Sequence, residues 1–443
     1  MKSTTKWLGA MVLVAATTAP VEAQVDCSTL DSLCTSGSCV IPRLRPADPC
    51  IVDFGARDVV LEGLYDIGTV QLTAKSFVIE GTIGGRQNLG SGPDLELNAT
   101  DGISVGGAIR LTTFNVLPRM RIVAGGTIEV DGPLTLTSSL PQSGVDETVL
   151  LDAGSDLNVR STIRTANVAG TLPVTLRAGG RIDLQASLRP SDHLLLEAGT
   201  DLVIGGPIVL RDQFNSRLDI TATAGGTLDV QDQIRTVGGL VELEGGSDVS
   251  IARSVKSRKV QGSPAGSCLG VSIRSVTGSV TIDDFVECSG RHGQGPLNVE
   301  AASDITVGAR LKTVSSTGHG GDISLTSASG TIRVTSSVDT RGDVGGNLTI
   351  SGAEAEVTGR TVDTRGRLGA GGAQAFAATG GDLLLSGRFL GTKFGDITGA
   401  ATGNLTASGT FATGMDGCIA LAAGGILDTA AATFDQPLSP SCP

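Results

Sequence analysis

One repeat constrains this chain more than any other feature. A small or glycine-rich turn followed by a short alternating strand recurs: Ala124-Gly125-Gly126-Thr127-Ile128-Glu129-Val130, Ala178-Gly179-Gly180-Arg181-Ile182-Asp183-Leu184 and Ala224-Gly225-Gly226-Thr227-Leu228-Asp229-Val230. The first apolar residue after each turn serves as an anchor. The anchors are Ile103, Ile128, Leu157, Ile182, Leu202, Leu228, Val249, Val280, Ile305, Ile332, Val357, Leu383, Leu405 and Ile426. From Ile103 to Ile426 the 13 steps average about 25 residues. A second phrase keeps the same phase, Val338-Asp339-Thr340-Arg341-Gly342 and then Val362-Asp363-Thr364-Arg365-Gly366. Ile163-Arg164-Thr165 and Ile234-Arg235-Thr236 look like its relatives.

A unit of that length cannot bury its own apolar face, but stacked units can, by pairing each strand with its equivalent one period away. Parallel pairing needs a crossover, and the rest of each coil supplies one. The expected fold is therefore all-β, a single-stranded right-handed parallel β-helix. At about 4.8 Å per coil, roughly 14 to 16 coils would make a rod of about 70 Å. Composition agrees. There are 63 glycines in 443 residues, 40% hydrophobic residues and only 3% aromatics. A narrow interior of stacked Val, Ile, Leu and Ala has little room for Trp. Coil corners need positive φ or close backbone approach, which glycine provides. The glycines follow no Gly-X-Y period, which excludes collagen. The regular aliphatic pattern excludes general disorder.

The segment Gly318-His319-Gly320-Gly321-Asp322-Ile323-Ser324-Leu325, followed by Gly330-Thr331-Ile332-Arg333-Val334 and the Val338–Gly342 phrase, resembles the repeat regions of haemagglutinin- and adhesin-type bacterial secreted β-helices. The likeness extends over residues 95–430. It implies a secreted, non-enzymatic structural or adhesin-like protein of the cell surface or extracellular space. The chain departs from the two-partner-secreted members in lacking Asn-Pro-Asn motifs near its N-terminus.

Residues 1–23 read as a secretory signal. Lys2 and Lys6 precede the apolar run Trp7–Ala16, and Val21-Glu22-Ala23 is a small-x-small cleavage site. Cysteine usage fits that route. Cys27, Cys34, Cys39 and Cys50 follow the signal, Cys268 and Cys288 sit mid-chain, and Cys418 and Cys442 lie near the end. Even counts in each cluster point to local pairing: Cys268 with Cys288, Cys418 with Cys442, and two bridges among the first four, where three connectivities are open. The organisation expected is a signal (1–23), a Cys-rich N-terminal cap (24–52), a parallel β-helix (53–417) and a C-terminal cap or tail (418–443).

Net charge is −12. That acidity argues against nucleic acid as a partner, because phosphate binding relies on Lys and Arg. Surface polysaccharide or another envelope protein is the expected partner, and no apolar run after the signal is long enough to span a membrane. The longest step, Val249 to Val280, carries Arg253, Lys256, Arg258 and Lys259 before Cys268, and reads as a basic loop projecting from the rod.

Three motifs test for catalysis. Asp283-Asp284 and Gly318-His319-Gly320 look superficially like polygalacturonase-type motifs, in which paired carboxylates serve as acid and base. Their Asn-x-Asp companion is missing, and the alternative is ordinary turn residues. Gly102-Ile103-Ser104-Val105-Gly106 matches GxSxG, but it falls at a repeat anchor, where Ser104 is the outward residue of a strand. His193, His292 and His319 each sit in a turn and read as solvent-exposed loop residues. No catalytic, metal or cofactor residue is assigned: the chain has no HExxH, phosphate loop or GGxGxDx repeat. The competing function is a polysaccharide-active glycosidase or lyase on the same scaffold.

Overall fold

The structure, a computed structural model, describes residues 24–34, 37–87, 93–114, 116–139, 148–167, 172–210, 218–258, 268–391 and 394–442. The expected signal lies outside them. The fold is an all-β parallel solenoid, and its only helical elements among the described residues are two short 3-10 turns, Cys27–Thr29 and Asp31–Leu33. Each coil contributes strands to three ladders. The first ladder stacks sixteen strands, from Cys50–Asp53 to Ile419–Ala423. After a glycine-rich corner the chain enters the second ladder, as at Ile103–Val105 and Ile128–Val130. After a second corner it enters the third, as at Ile109–Thr113 and Leu134–Ser138.

Alternation within each strand decides what faces inward. Leu95, Leu97 and Ala99 lie in register with Met120, Ile122 and Ala124, and all are buried. Each inward side chain thus packs on its equivalent one coil away, and a continuous aliphatic core runs the length of the ladder. Twelve of the fourteen expected anchors occupy one column of the second ladder. Two do not. Ala355, not Val357, pairs with Ile332 and Leu383. Leu427, not Ile426, pairs with Leu405, and Ile426 is 71% exposed. In the first case the column residue is alanine, small enough to be passed over for the next large apolar side chain.

The stacked corner glycines have one main cause. A Cβ on Gly179 would lie 2.3 Å from the Gly154 carbonyl oxygen, and one on Gly199 would lie 2.1 Å from that of Gly179. Coils approach too closely there for any side chain. Positive φ falls elsewhere, at glycines such as Gly387 and Gly409 and at Asp66, Phe394 and Asp416. The same corner carries clamps between coils. Asp156 accepts the backbone N–H of Arg181 (2.8 Å), Asp248 that of Ser279 (2.8 Å) and Asp304 that of Thr331 (2.8 Å). These three corner Asp side chains are therefore hydrogen-bonded to the next coil.

Pairing extends into both segments expected as separate caps. Ser38–Ile41 pairs with Asp58–Leu61, Cys50–Asp53 with Thr69–Ala74, and Leu427–Phe434 with Leu405–Ala412. The cap segments bury or extend the same ladders because their strands keep the solenoid's register. At the N-terminal end, bridges Cys27–Cys50 and Cys34–Cys39 close over the buried Leu30. The other bridges are Cys268–Cys288 and Cys418–Cys442. Near the C-terminal end the aliphatic core gives way to phenylalanine. Phe389 stacks on Phe411 (ring centroids 4.7 Å apart) and Phe411 on Phe434 (5.3 Å), with Phe376 edge-on to Phe389.

Candidate functional site

Outward residues of the first ladder bound a cleft of about 860 Å³. Gln71, Asp94, Glu96, Arg119, Arg121 and His193 supply its polar lining. The strands that carry them lie about one period apart, so the site exists only through register: Asp94 sits opposite Arg119, and Glu96 opposite Arg121. Glu96 accepts hydrogen bonds from Gln71 (2.9 Å) and Asn98 (3.0 Å), and lies 3.9 Å from Arg121. Asp94 is different. Burial pushes its carboxyl up; Arg119 opposes this and Glu96 adds to it, and the net shift is upward. At the other end of the cleft His193 stands between two acids, with Nε2 3.5 Å from Asp192 and Nδ1 3.5 Å from Asp219. A carboxyl raised by burial is a proton-exchanging group. Sequence reasoning placed His193 in an exposed turn and passed over Asp94. The adjacent Asp192-His193 pair was the one local signal.

The expected catalytic candidates are not brought together. Asp283 and Asp284 occupy the corner between the second and third ladders, where Asp284 accepts the backbone N–H of Phe285 (2.7 Å). His319 lies beyond the third ladder, at the corner leading into Ile323–Ser327 of the first, and is exposed. Ser104 faces outward between buried Ile103 and Val105, in register with Val78 and Glu129. His292 is exposed, with Nδ1 3.3 Å from the Thr317 hydroxyl. Among the described residues no three His, Cys, Asp or Glu side chains converge as metal ligands would.

The expected basic loop also needs correction. Val255–Arg258 is a strand of the third ladder, because its alternation buries Val255 and Ser257 against the core. Lys256 and Arg258 are thus on the body of the rod. Lys256 lies 5.6 Å from the Phe285 ring. Lys259 and residues 260–267 are outside the described residues.

The third ladder then carries a chain of ion pairs. In its central outward column Lys256, Glu287, Lys312, Asp339 and Asp363 follow one another in register. Glu287 binds Arg258 and Lys312 (3.0 Å) and accepts from Ser289 (2.7 Å). Asp339 binds Arg310 and takes two hydrogen bonds from Arg341 (2.9 and 2.8 Å). Asp363 takes the same pair from Arg365 (2.9 and 2.8 Å). The three acids are only 1–6% exposed. Burial alone would raise the carboxyls of Glu287 and Asp339. Hydrogen bonds and neighbouring cations outweigh it and hold both below the ordinary range. The Arg in the repeated Val-Asp-Thr-Arg-Gly phrase is thus the clamp on its own Asp. The Thr closes the corner: Thr340 donates to the Gly346 carbonyl (2.6 Å) and Thr364 to that of Gly372 (2.7 Å).

No protein-family model, curated protein or solved structure matches the chain. What is established is the architecture, a disulfide-bonded parallel β-solenoid in which no described helix is long and apolar enough to cross a membrane.

Proposed function

We propose that this chain is a secreted, non-enzymatic structural solenoid of adhesin-like type, working at a bacterial cell surface or in the extracellular space. The observation that supports it most is the unbroken pairing from Ser38 to Phe434, held by disulfides near both ends and in the middle. Such a rod presents long fixed columns of side chains to a partner. Four bridges suit an oxidising compartment. The partner class is surface polysaccharide or another envelope protein, and no cofactor is invoked. The test is binding of the purified protein to cells and to a panel of polysaccharides, with product release followed in parallel. Binding without turnover supports the reading, and turnover overturns it.

A second reading has one observation in its favour, the Asp94–His193 cleft. A carboxyl pushed up by burial suits a general acid acting on a glycosidic bond. Turnover lost in Asp94→Asn would establish this reading in place of the first.

A further inference from the structure

The central outward column of the third ladder changes character along the rod. Upstream of Glu287 it runs Arg110, Thr135, Arg164, Arg189, Val209, Arg235 and Lys256. The Val209 position follows from the pairing of Leu188 with Ile208. The eight strands of this ladder from Ile83–Gln87 to Val255–Arg258 contain no Asp or Glu. Arg110, Arg164, Arg189 and Arg235 are exposed and make no ion pair among the described residues. Apolar inward residues such as Ile109 and Leu111 hold their strands, so the arginines point away from the core. The neighbouring second ladder places Glu129, Asp183 and Asp229 in its outward column. A protein of net charge −12 therefore concentrates guanidinium groups with no acidic partner among the described residues in one line along one side.

We infer that this line is a binding site for a linear anionic polysaccharide lying along the rod axis. The inference rests on the adhesive reading and names its ligand. From Arg110 to Lys256 is six coil steps, about 29 Å at ~4.8 Å per step. Charges stand one or two steps apart, at about 5 and 10 Å. Those spacings match a polymer with an acidic group on every pyranose or on every second one. Guanidinium binds carboxylate and sulfate in forked geometry. The line is one residue wide and flanked by small side chains such as Thr137, Thr162 and Ser187. One chain fits it better than a bilayer plane. The strands of this stretch carry no aromatic on which nucleobases would stack.

The test uses the whole mature protein in three forms: unaltered, Arg164→Ser/Arg189→Ser/Arg235→Ser, and a control on the other two ladders with equal charge loss, Arg177→Ser/Arg274→Ser/Arg333→Ser. Circular dichroism confirms folding of each. Binding is measured to polygalacturonate (carboxylate), dextran sulfate (sulfate), neutral dextran, poly-dT and phosphatidylserine vesicles, at low and high salt. The expected result is salt-sensitive binding to one or both anionic polysaccharides, weakened at least tenfold in the third-ladder variant and less than twofold in the control. Equal loss in both variants overturns the inference, as does no anionic-polysaccharide binding. Tighter arginine-dependent binding to poly-dT or vesicles overturns it as well. Retained cell binding by the third-ladder variant would defeat this site while leaving the adhesive reading intact. Product release from either polysaccharide would defeat the adhesive reading while leaving the site.

Discussion

The two halves of the third ladder occupy the same place in the coil and use it differently. Downstream, Glu287, Asp339 and Asp363 fill the outward column, and Arg258, Arg310, Lys312, Arg341 and Arg365 close over them. Upstream, Arg110, Arg164, Arg189 and Arg235 stand in the same column without an acidic partner among the described residues. The third strand residue also changes along the rod. It is Leu111 and Leu136 in the earliest coils, but Thr165, Thr236 and Ser257 already close their corners by a hydroxyl before the boundary, as Thr313, Thr340 and Thr364 do beyond it. Polar chemistry turned onto the fold itself stabilises it, and the same chemistry left open is available to a ligand.

The largest expected effect is on the downstream ion pairs. Asp339→Ala leaves Arg310 and Arg341 without the acid they share, and should cost about 3–5 kcal/mol in the surrounding coils. Arg164→Ala should change stability by under about 0.5 kcal/mol. Hydrogen exchange over 311–363 and over 134–189 measures both, and equal losses would break the contrast.

Acid should separate the halves in the same way. Glu287 and Asp339 are held below their unfolded values, so their stabilisation is complete above the unfolded carboxyl pKa of about 4 and is lost as pH falls through the folded values. Exchange protection should fall first in 286–363 below about pH 4. Earlier loss in 109–138, where the column holds no carboxylate, would contradict this account.

A smaller effect sits at the boundary. Cys288 occupies the Thr313 position, in register with Ser257, so the Cys268–Cys288 bridge does there what hydroxyls do in the neighbouring coils. Cys268→Ser with Cys288→Ala should cost about 2–4 kcal/mol in urea unfolding. Replacing that alanine by threonine should recover about 1 kcal/mol. No recovery would show that the corner there is not closed by a hydroxyl.

Thr340→Val should be milder than loss of the bridge. It removes the donor to the Gly346 carbonyl and should cost about 1–3 kcal/mol in thermal unfolding. Smallest is the exposed Arg333–Glu356 pair (2.8 Å), where Arg333→Ala should cost under about 1 kcal/mol. A large loss there would mean that exposed pairs also hold the rod together.

Much of the core was legible from residues alone. Ile128 and Val130, or Ile182 and Leu184, announce an inward face by alternation, which is a property of one strand and needs no partner. The repeat made stacking the only economical way to bury those faces. The candidate site was not legible in that way. Asp94, Arg119 and His193 share no motif, and Asp283, Asp284 and His319, which suggested one, fall at different corners.

The sequence by itself determined the coil, its inward columns and the glycines where coils touch, because each depends on short-range alternation or on the size of one residue. Only the tertiary structure decided which outward residues are neighbours. The step from Ile182 to Leu202 and the step from Val249 to Val280 differ by eleven residues, yet both pairs lie in register. Corner length absorbs the difference, so lateral neighbours cannot be counted along the chain. That is why the arginine line and the buried ion pairs appear only once the coils are stacked.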